Sequence, residues 1–485
     1  MSLGAVLNSA RSSLAAISTR TQTVSENISN VDNPGYSRRQ AQNVADRHGV
    51  LRVSITRAQD REILQQMLEY TSLHASSQAL SDGVDKLGLI YGGADSETSP
   101  AALLGRLQGD IQAFISMPAS AAAASRAIGS ARDLSAAINR GADAIRSIRL
   151  GADEEISRSV THINALLREF HQANAAIVTG RLSDAERARS EEARDNVLAK
   201  LAGELDIKTV QQSDGGLAIY TTEGAVLYER GAREVRFSPS PNLQSGAPGG
   251  QVYIDNIQVT GPGAIMKLSS GKLTGLIRLR DDVAAGWEVQ LDELARGLIG
   301  AFAERDSGGG PDAPGLFTWP GAPGLPPSAT HMPGLAHDLR LNPLADPVQG
   351  GDPFLLRDGG MAGASYVANT TGVAGFTQRL LDVNAALDAP QGFDPAAQLG
   401  GGATVKDFAA RSLGWLDAHR AEARKEKDYN ATLLTRASDA LSRATGVNLD
   451  DELAVMMRLE RSYQATARVM STVDTMLATL MDSMR

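Results

Sequence analysis

Both ends of this 485-residue chain carry a long amphipathic segment with an apolar seam at heptad spacing. A seam of this spacing predicts a coiled-coil helix, here roughly 45 Å long at about 1.5 Å per residue. The helix should stop at Asn33-Pro34-Gly35-Tyr36, because proline disfavours helix before it and Pro-Gly suits a type II turn. Alternate steps of four and three residues define the N-terminal seam: Leu3, Leu7, Ala10, Leu14, Ile17, Thr21, Val24, Ile28 and Val31.

The last stretch of the chain repeats this pattern. A lone amphipathic helix is marginal in water, and each large apolar side chain contributes about 1.5–3 kcal/mol when it is buried. The two seams are therefore natural partners for each other, although a homodimeric coiled coil explains the heptads alone equally well. The C-terminal seam consists of Leu449, Glu452, Met456, Leu459, Tyr463, Thr466, Met470, Val473, Leu477, Leu480 and Met484.

Composition indicates a soluble, mainly helical protein. Hydrophobic residues make up 42% and charged residues 21%, while aromatic residues reach only 4%, which suits closely packed helices. The net charge of −9, without a dense Lys/Arg patch, argues against nucleic-acid binding. We expect no membrane span and no Sec-type signal peptide. The absence of cysteine excludes disulfides and cysteine-based metal or nucleophile sites.

Changes in hydrophobic period divide the chain into three predicted parts. Most segments have helical periodicity, whereas short β-branched runs such as 252–259 predict strands. The predicted fold class is therefore mainly α with a small β-rich insert. The parts are a terminal domain of paired coiled-coil helices (1–33 and 448–485), a mainly helical central domain with a helical bundle (34–204 and 269–447, including a Gly/Pro-rich irregular subdomain at 306–375) and a β-rich outer domain (205–268).

The sequence contains no recognisable catalytic or cofactor motif. The seven histidines are scattered, and none has metal-ligand spacing with a second histidine or a carboxylate. Gly271-Lys272 fails as a phosphate loop, because Met266 replaces the upstream glycine and Leu273 replaces the Ser/Thr. Asp281-Asp282 and Asp153-Glu154-Glu155 are interpreted as solvated helix charges or first-turn acids. We predict no enzyme activity, no metal and no cofactor.

Two terminal motifs resemble the signatures of the bacterial flagellar rod, hook and hook-associated protein family. The C-terminal motif runs from Gly446-Val-Asn-Leu449 to Tyr463-Gln-Ala-Thr-Ala-Arg-Val469. The N-terminal motif is Ser25-Glu-Asn-Ile-Ser-Asn-Val-Asp-Asn-Pro-Gly-Tyr-Ser-Arg38, and its signature turn comprises Asn27, Asn30, Asn33, Pro34, Gly35 and Tyr36. Both motifs lie in the right order and on the right predicted elements.

The middle of the chain is similar to one branch of this family, hook-associated protein 1. The resemblance is weakest over 306–336 and 345–375. It rests on Glu192-Ala-Arg-Asp-Asn-Val-Leu198, Leu205-Asp-Ile-Lys-Thr-Val-Gln-Gln-Ser-Asp-Gly215, Ser270-Gly-Lys-Leu-Thr-Gly-Leu-Ile-Arg-Leu-Arg-Asp281, Leu291-Asp-Glu-Leu-Ala295 and Leu339-Arg-Leu-Asn-Pro343.

The resemblance implies a structural role in a ring of identical subunits at the hook–filament junction, needed for filament assembly. The terminal helices would line the inner tube, with the middle domains outside. Implied partners are the hook protein, a second junction protein (hook-associated protein 3) on the filament side, and a cytosolic export chaperone that holds the C-terminal helix. The implied location is the extracellular flagellum, reached unfolded through the flagellar type III apparatus without a cleaved signal. The alternatives are a hook or rod component and, more remotely, a wall-degrading enzyme on a flagellar scaffold.

Overall fold

The computed structural model describes residues 3–33, 35–45, 51–92 and 96–483, and it confirms a mainly α fold. Pro34 and Met484, which belong to the predicted turn and seam, lie outside the described residues. The helices are α1 Leu3–Ser29, α2 Arg61–Gly88, α3 Pro100–Ser116, α4 Ala121–Val178, α5 Asp184–Glu204, α6 Lys272–Ile277, α7 Ala284–Ala301, α8 Leu335–Asp338, α9 Leu355–Asp358, α10 Gln378–Asp388, α11 Val405–Thr445 and α12 Leu449–Ser483.

Side-chain caps explain where several of these helices begin. The Ser99, Ser120 and Thr404 side chains each accept a hydrogen bond from a backbone N–H in the first turn of α3, α4 and α11. Ser183 and Glu186 form a capping box at the start of α5. The apolar faces of α2, α3, α4, α7 and α11 then pack into one large core, and this helical body carries the terminal helices.

The chain also contains small antiparallel sheets of two or three strands, in addition to the helical body. Residues 208–258 hold two three-stranded sheets, β3-β4-β5 and β6-β7-β8, in the predicted β-rich insert; the domain boundaries themselves stay a prediction. The strands are β1 Arg39–Ala45, β2 Leu51–Arg57, β3 Lys208–Gln211, β4 Leu217–Tyr220, β5 Val226–Tyr228, β6 Val235–Phe237, β7 Val252–Ile254, β8 Ile257–Gln258, β9 Phe317–Thr318, β10 Arg340–Leu341, β11 Gln391–Gly392 and β12 Gly402–Ala403.

The single strand predicted over 252–259 is wrong, because the chain reverses there. Asp255 has a φ of 51°, a left-handed conformation that breaks an extended strand. Arg236 donates to the Asp255 carbonyl and to Asn256 Oδ1, which holds the turn against β6. β7 and β8 therefore pair with each other as a hairpin.

The segment from Ser270 to Asp281 packs tightly against the body. A Cβ atom on Gly275 would lie 2.2 Å from the Ser76 carbonyl oxygen, so only glycine lets α6 approach α2 this closely. Gly271 has a φ of 93°, and its N–H donates to the Ser72 carbonyl oxygen at 2.9 Å. A π-helical turn, Arg278–Val283, then interrupts the helix predicted through this region and separates α6 from α7.

The π-helical turn directs Arg280 into a buried ion-pair cluster. Arg280 is fully buried and pairs with Asp153 and Asp281, the latter at 2.7 Å. Neighbouring Arg149, also fully buried, pairs with Glu288 at 2.5 Å and donates to the Arg280 carbonyl oxygen. The interpretation of Asp153 and Asp281 as solvated helix charges is therefore wrong. Both carboxylates compensate a buried guanidinium, which costs too much to bury without a partner.

Asp292 of α7 anchors the irregular region that was predicted at 306–375. Its buried carboxylate accepts hydrogen bonds from Ser245 Oγ at 2.6 Å and His331 Nε2 at 2.9 Å. The backbone N–H groups of Gly334 and Ala336 donate to the same carboxylate at 3.0 and 2.7 Å. One side chain of α7 thus holds two other chain segments, around Ser245 and over 331–336, which explains how a stretch with little regular structure keeps a defined position.

The His331–Asp292 pair predicts a pH-dependent contribution to stability. Burial lowers the pKa of His331, but the hydrogen bond and charge of Asp292 outweigh this effect and raise that pKa above its ordinary value of 6.5. The stabilisation is therefore complete below the unfolded-state pKa and is lost as pH rises through the folded-state pKa. We expect thermal denaturation to separate wild type from His331→Gln more at about pH 5.5 than at about pH 8.5. An equal separation at both pH values would contradict a charged pair.

Candidate assembly site at the terminal helix pair

The two terminal helices form an antiparallel pair. Asn27 near the end of α1 contacts Glu452 in the first turn of α12, whereas Leu14 lies beside Met470 farther along α12. Ile17, Val24 and Leu459 form the buried centre of the contact between the helices. The two predicted seams therefore meet within one chain.

The seam residues differ in burial along the pair. Ala10, Ile17, Val24, Leu459 and Val473 are buried, and Leu7, Leu14, Ile28, Met456, Met470 and Leu477 are half-buried. The side chain of Leu3 is not described. Val31 follows the last residue of α1, and the seam residues that stay more than one-third exposed are Val31, Leu449, Tyr463 and Leu480.

Further apolar side chains of α12 lie outside the seam and are exposed. A two-helix pair can cover only one face of each helix, so the remaining faces meet solvent or another molecule. Large exposed apolar groups on one element are typical of interaction surfaces. The exposed residues are Leu453, Met457, Val469, Met476 and Met481.

The signature turn connects α1 to β1 at the base of the helix pair. The Tyr36 N–H donates to the Asn33 carbonyl oxygen at 3.0 Å, the hydrogen bond expected for a turn over these residues. Asn33 Oδ1 also accepts from the Gly35 N–H at 3.1 Å, and Asn30 Nδ2 donates to the Glu26 carbonyl oxygen at 2.8 Å. The Asn30 side chain thus satisfies a carbonyl group near the end of α1, where helical carbonyls lack backbone partners, and the Asn33 side chain satisfies an N–H group in the turn.

Asn27 is fully buried and uses both ends of its amide. Its Nδ2 donates to the Arg39 carbonyl oxygen at 2.9 Å and to Glu452 Oε2 at 3.1 Å. Its Oδ1 accepts from the Tyr36 hydroxyl at 2.8 Å and from the Arg39 N–H at 3.0 Å. Burial raises the pKa of Tyr36 to about 12 against the opposing charge of Arg39, so the phenol stays a donor. One amide therefore joins α1, the turn, β1 and α12.

Consecutive arginines surround this amide with ion pairs. Arg38 Nε lies 2.7 Å from Glu452 Oε1. Arg39 lies 2.8 Å from Glu26 Oε2 and 2.7 Å from Glu192 Oε2 of α5. The sequence did not predict these ion pairs. The available signal was Glu452 itself, a carboxylate at a seam position that predicts a buried polar partner.

The Asn27 hydrogen bonds predict a large effect for a one-atom change. Asn27→Asp replaces the donating amide nitrogen with a carboxylate oxygen beside Glu452, so two donor bonds become repulsive contacts. We expect a loss of about 2–4 kcal/mol in the stability of the helix pair, measured by urea denaturation followed by circular dichroism. Asn30→Asp is the matched control, since Asn30 is only half-buried; equal losses in both variants would contradict the role of Asn27.

A cleft of about 820 Å³ opens beside the turn, between the start of α2, α5 and the end of α11. Within the described part of the chain, no group of three or more His, Asp or Glu residues could hold a metal ion. The Ser245–Asp292–His331 trio does not resemble a hydrolase site, because serine and histidine both bond to the carboxylate. None of the helices formed by the described residues combines the length and apolar character that a membrane crossing requires.

Comparison with known proteins links two regions of the chain to flagellar families. Residues 92–313 match the family described as flagellar hook-associated protein FlgK helical domain. Residues 440–483 match the flagellar basal body rod FlgEFG protein C-terminal family. No curated protein matches the chain at a significant level.

One similar solved structure is the flagellar hook junction protein FlgK from Burkholderia pseudomallei. Its sequence identity to this chain is 18% and the TM-score is 0.43. The alignment covers 53% of this chain and 46% of the solved chain, so the two proteins correspond over about half of their lengths.

Proposed function

We propose that the chain is a structural subunit of the bacterial flagellum, because residues 92–313 match the FlgK helical-domain family and residues 440–483 match the rod-type C-terminal family. Copies of it would form the ring that adapts the hook to the filament and allows the filament to assemble. The observation that carries this proposal is the pairing of the two chain ends through Ile17, Val24 and Leu459. This pairing supports a subunit in which the rod-type C-terminal helix is held by the N-terminal helix of the same chain.

The proposed partners follow from the surface of the helix pair. Neighbouring copies would cover the exposed apolar side chains of α12, and the hook protein and hook-associated protein 3 would meet the two sides of the ring. Before export, a cytosolic chaperone would cover the same α12 side chains, since exposed Met457, Met476 and Met481 suit an adaptable apolar groove. The proposal includes no nucleic-acid partner and no membrane insertion.

We place the subunit on the extracellular flagellum, after export through the flagellar type III apparatus without a cleaved signal. The role is structural rather than enzymatic. The buried charged groups of the body support this view, because Arg149, Arg280 and Asp292 all bond to other protein groups and hold chain segments together.

A hook or rod component is the second candidate, favoured by the rod-type match over residues 440–483. The FlgK helical domain match over residues 92–313 favours the junction instead. Electron microscopy of flagella from a strain lacking this gene separates the two. Hooks without filaments, with flagellin released to the medium, are expected for the junction subunit. Missing hooks would assign the protein to the hook or rod, and normal filaments would refute both assignments.

A further inference from the structure

Arg38 and Arg39 are adjacent in sequence, but they bond to different elements of the fold. Arg38 reaches Glu452 on α12, and Arg39 reaches Glu192 on α5, which belongs to the helical body. Residues that follow each other in extended backbone point to opposite sides, so two adjacent arginines can serve two separate partners. The opposite directions of the Arg38 and Arg39 side chains thus follow from the extended backbone at the start of β1.

In the Arg38–Glu452 and Arg39–Glu192 pairs, every side chain except Arg38 is well shielded from solvent. Glu452 is 2% exposed, Arg39 is 6% exposed and the side chain of Glu192 is 11% exposed. Burial lowers the pKa of Arg39, but the hydrogen bond and charge of Glu192 outweigh this and raise it. Buried pairs of this kind are strongly destabilised when one partner is lost, whereas exposed pairs contribute little.

Other contacts also connect the helix pair to the body at this point, among them an ion pair between Arg189 of α5 and Glu26 of α1 at 3.6 Å. α1 packs against the β1–β2 hairpin, and the Arg38 N–H donates to the Thr445 carbonyl oxygen at the end of α11 at 2.7 Å. The hairpin itself is tied to α5, because Asp184 accepts from Ser54 Oγ at 2.8 Å and from the Ile55 N–H at 3.1 Å. Arg38 and Arg39 therefore lie at the junction of the hairpin, the end of α11 and the helix pair.

We infer that Arg38 and Arg39 act as two separate clamps that position the terminal helix pair. The Arg38–Glu452 clamp holds the base of α12 against the end of α1 and keeps the pair together. The Arg39–Glu192 clamp sets the direction of the whole pair relative to the body. The clamps are a property of the single chain. Their consequence for assembly rests on the proposed function, since every subunit of a ring must present its helix pair at the same angle.

Site-directed spin labels can test the two clamps separately, because the chain contains no native cysteine. One doubly labelled protein carries Thr161→Cys on α4 and Thr479→Cys on α12 and reports the angle between pair and body. A second doubly labelled protein carries Ser25→Cys on α1 and Arg461→Cys on α12 and reports the distance between the two helices of the pair. All four positions are exposed. Pulsed electron paramagnetic resonance on the full chain then gives the distribution of each distance.

Glu192→Gln should broaden the distribution between pair and body by roughly twofold, since a buried ion pair is lost, and leave the distribution within the pair unchanged. Glu452→Gln should broaden the distribution within the pair. Glu169→Gln and Glu460→Gln, both exposed on α4 and α12, are the matched controls and should change neither.

The proposal would be overturned if Glu192→Gln and Glu452→Gln broadened the distance distributions no more than their controls do. It would also be overturned if Glu192→Gln broadened the distribution within the pair as much as the distribution between pair and body. Arg39→Lys provides a second test of the same clamp, because one ammonium cannot reproduce the two-sided contact with Glu26 and Glu192. It should broaden the distance between pair and body; an unchanged width would also overturn the proposal. These distances are measured on the isolated chain, so they judge the clamps independently of the gene-deletion result.

Discussion

Leu459→Asp should separate α12 from α1 and abolish assembly while the helical body stays folded. Leu459 is 3% exposed and packs with Ile17 and Val24, so a carboxylate there loses the apolar contact and lacks a charged partner. We expect the helix pair to lose about 4 kcal/mol or more. The helical signal in circular dichroism should fall, since α1 and α12 contain 27 and 35 residues. Flagella of the mutant strain should resemble those of the deletion strain.

Met457→Asp is the matched control for this substitution. Met457 lies two residues away on the same helix but is 56% exposed, so a carboxylate at this position stays hydrated. The control should keep the helical signal of the isolated chain. If Leu459→Asp keeps the helical signal of the isolated chain as Met457→Asp does, the buried seam does not hold the helix pair together.

Asp292→Ala should destabilise the body rather than the helix pair. The substitution leaves four donors, two of them backbone N–H groups, without their acceptor. Each buried donor left unsatisfied costs about 1–3 kcal/mol, so we expect a total loss on the order of 4 kcal/mol. The melting temperature of the full chain should fall by about 4 °C.

The control for this variant is Asp312→Ala, an exposed aspartate in the same irregular region. It should leave the melting temperature within about 1 °C of wild type, as surface substitutions usually do. Hydrogen exchange gives a second measurement: Asp292→Ala should accelerate the Gly334 and Ala336 amides, which donate to this carboxylate. Unchanged exchange at both amides would rule out Asp292 as the anchor.

Heptad spacing could predict the terminal helices because their burial is repetitive. Every third or fourth residue of α1 and α12 faces the partner helix, so the spacing of apolar residues along the sequence indicates which face of each helix is buried. The same reasoning located the strands of the β-rich insert, where β-branched residues alternate with turns. It failed at Asp255, because one residue with positive φ converts an apparent strand into a hairpin.

Spacing could not predict the polar contacts, because their partners are far apart in sequence. Arg39 and Glu192 are separated by 153 positions, and Asn27 and Glu452 by 425. Nothing near Asp153 distinguishes a buried carboxylate from a solvated one until Arg280 is placed beside it by the π-helical turn. The prediction of a solvated environment was therefore wrong for Asp153, which is buried against a partner that is distant in sequence.

The mainly helical character of the chain and the apolar seams at both ends could be predicted from the order of residues alone. These properties depend on local backbone preference and on periodic burial, which neighbouring residues encode. That the two seams meet in one chain, and that Arg38 and Arg39 bind α12 and α5 respectively, became evident only from the folded structure. A buried charge requires a specific partner, and folding is what brings such distant partners together.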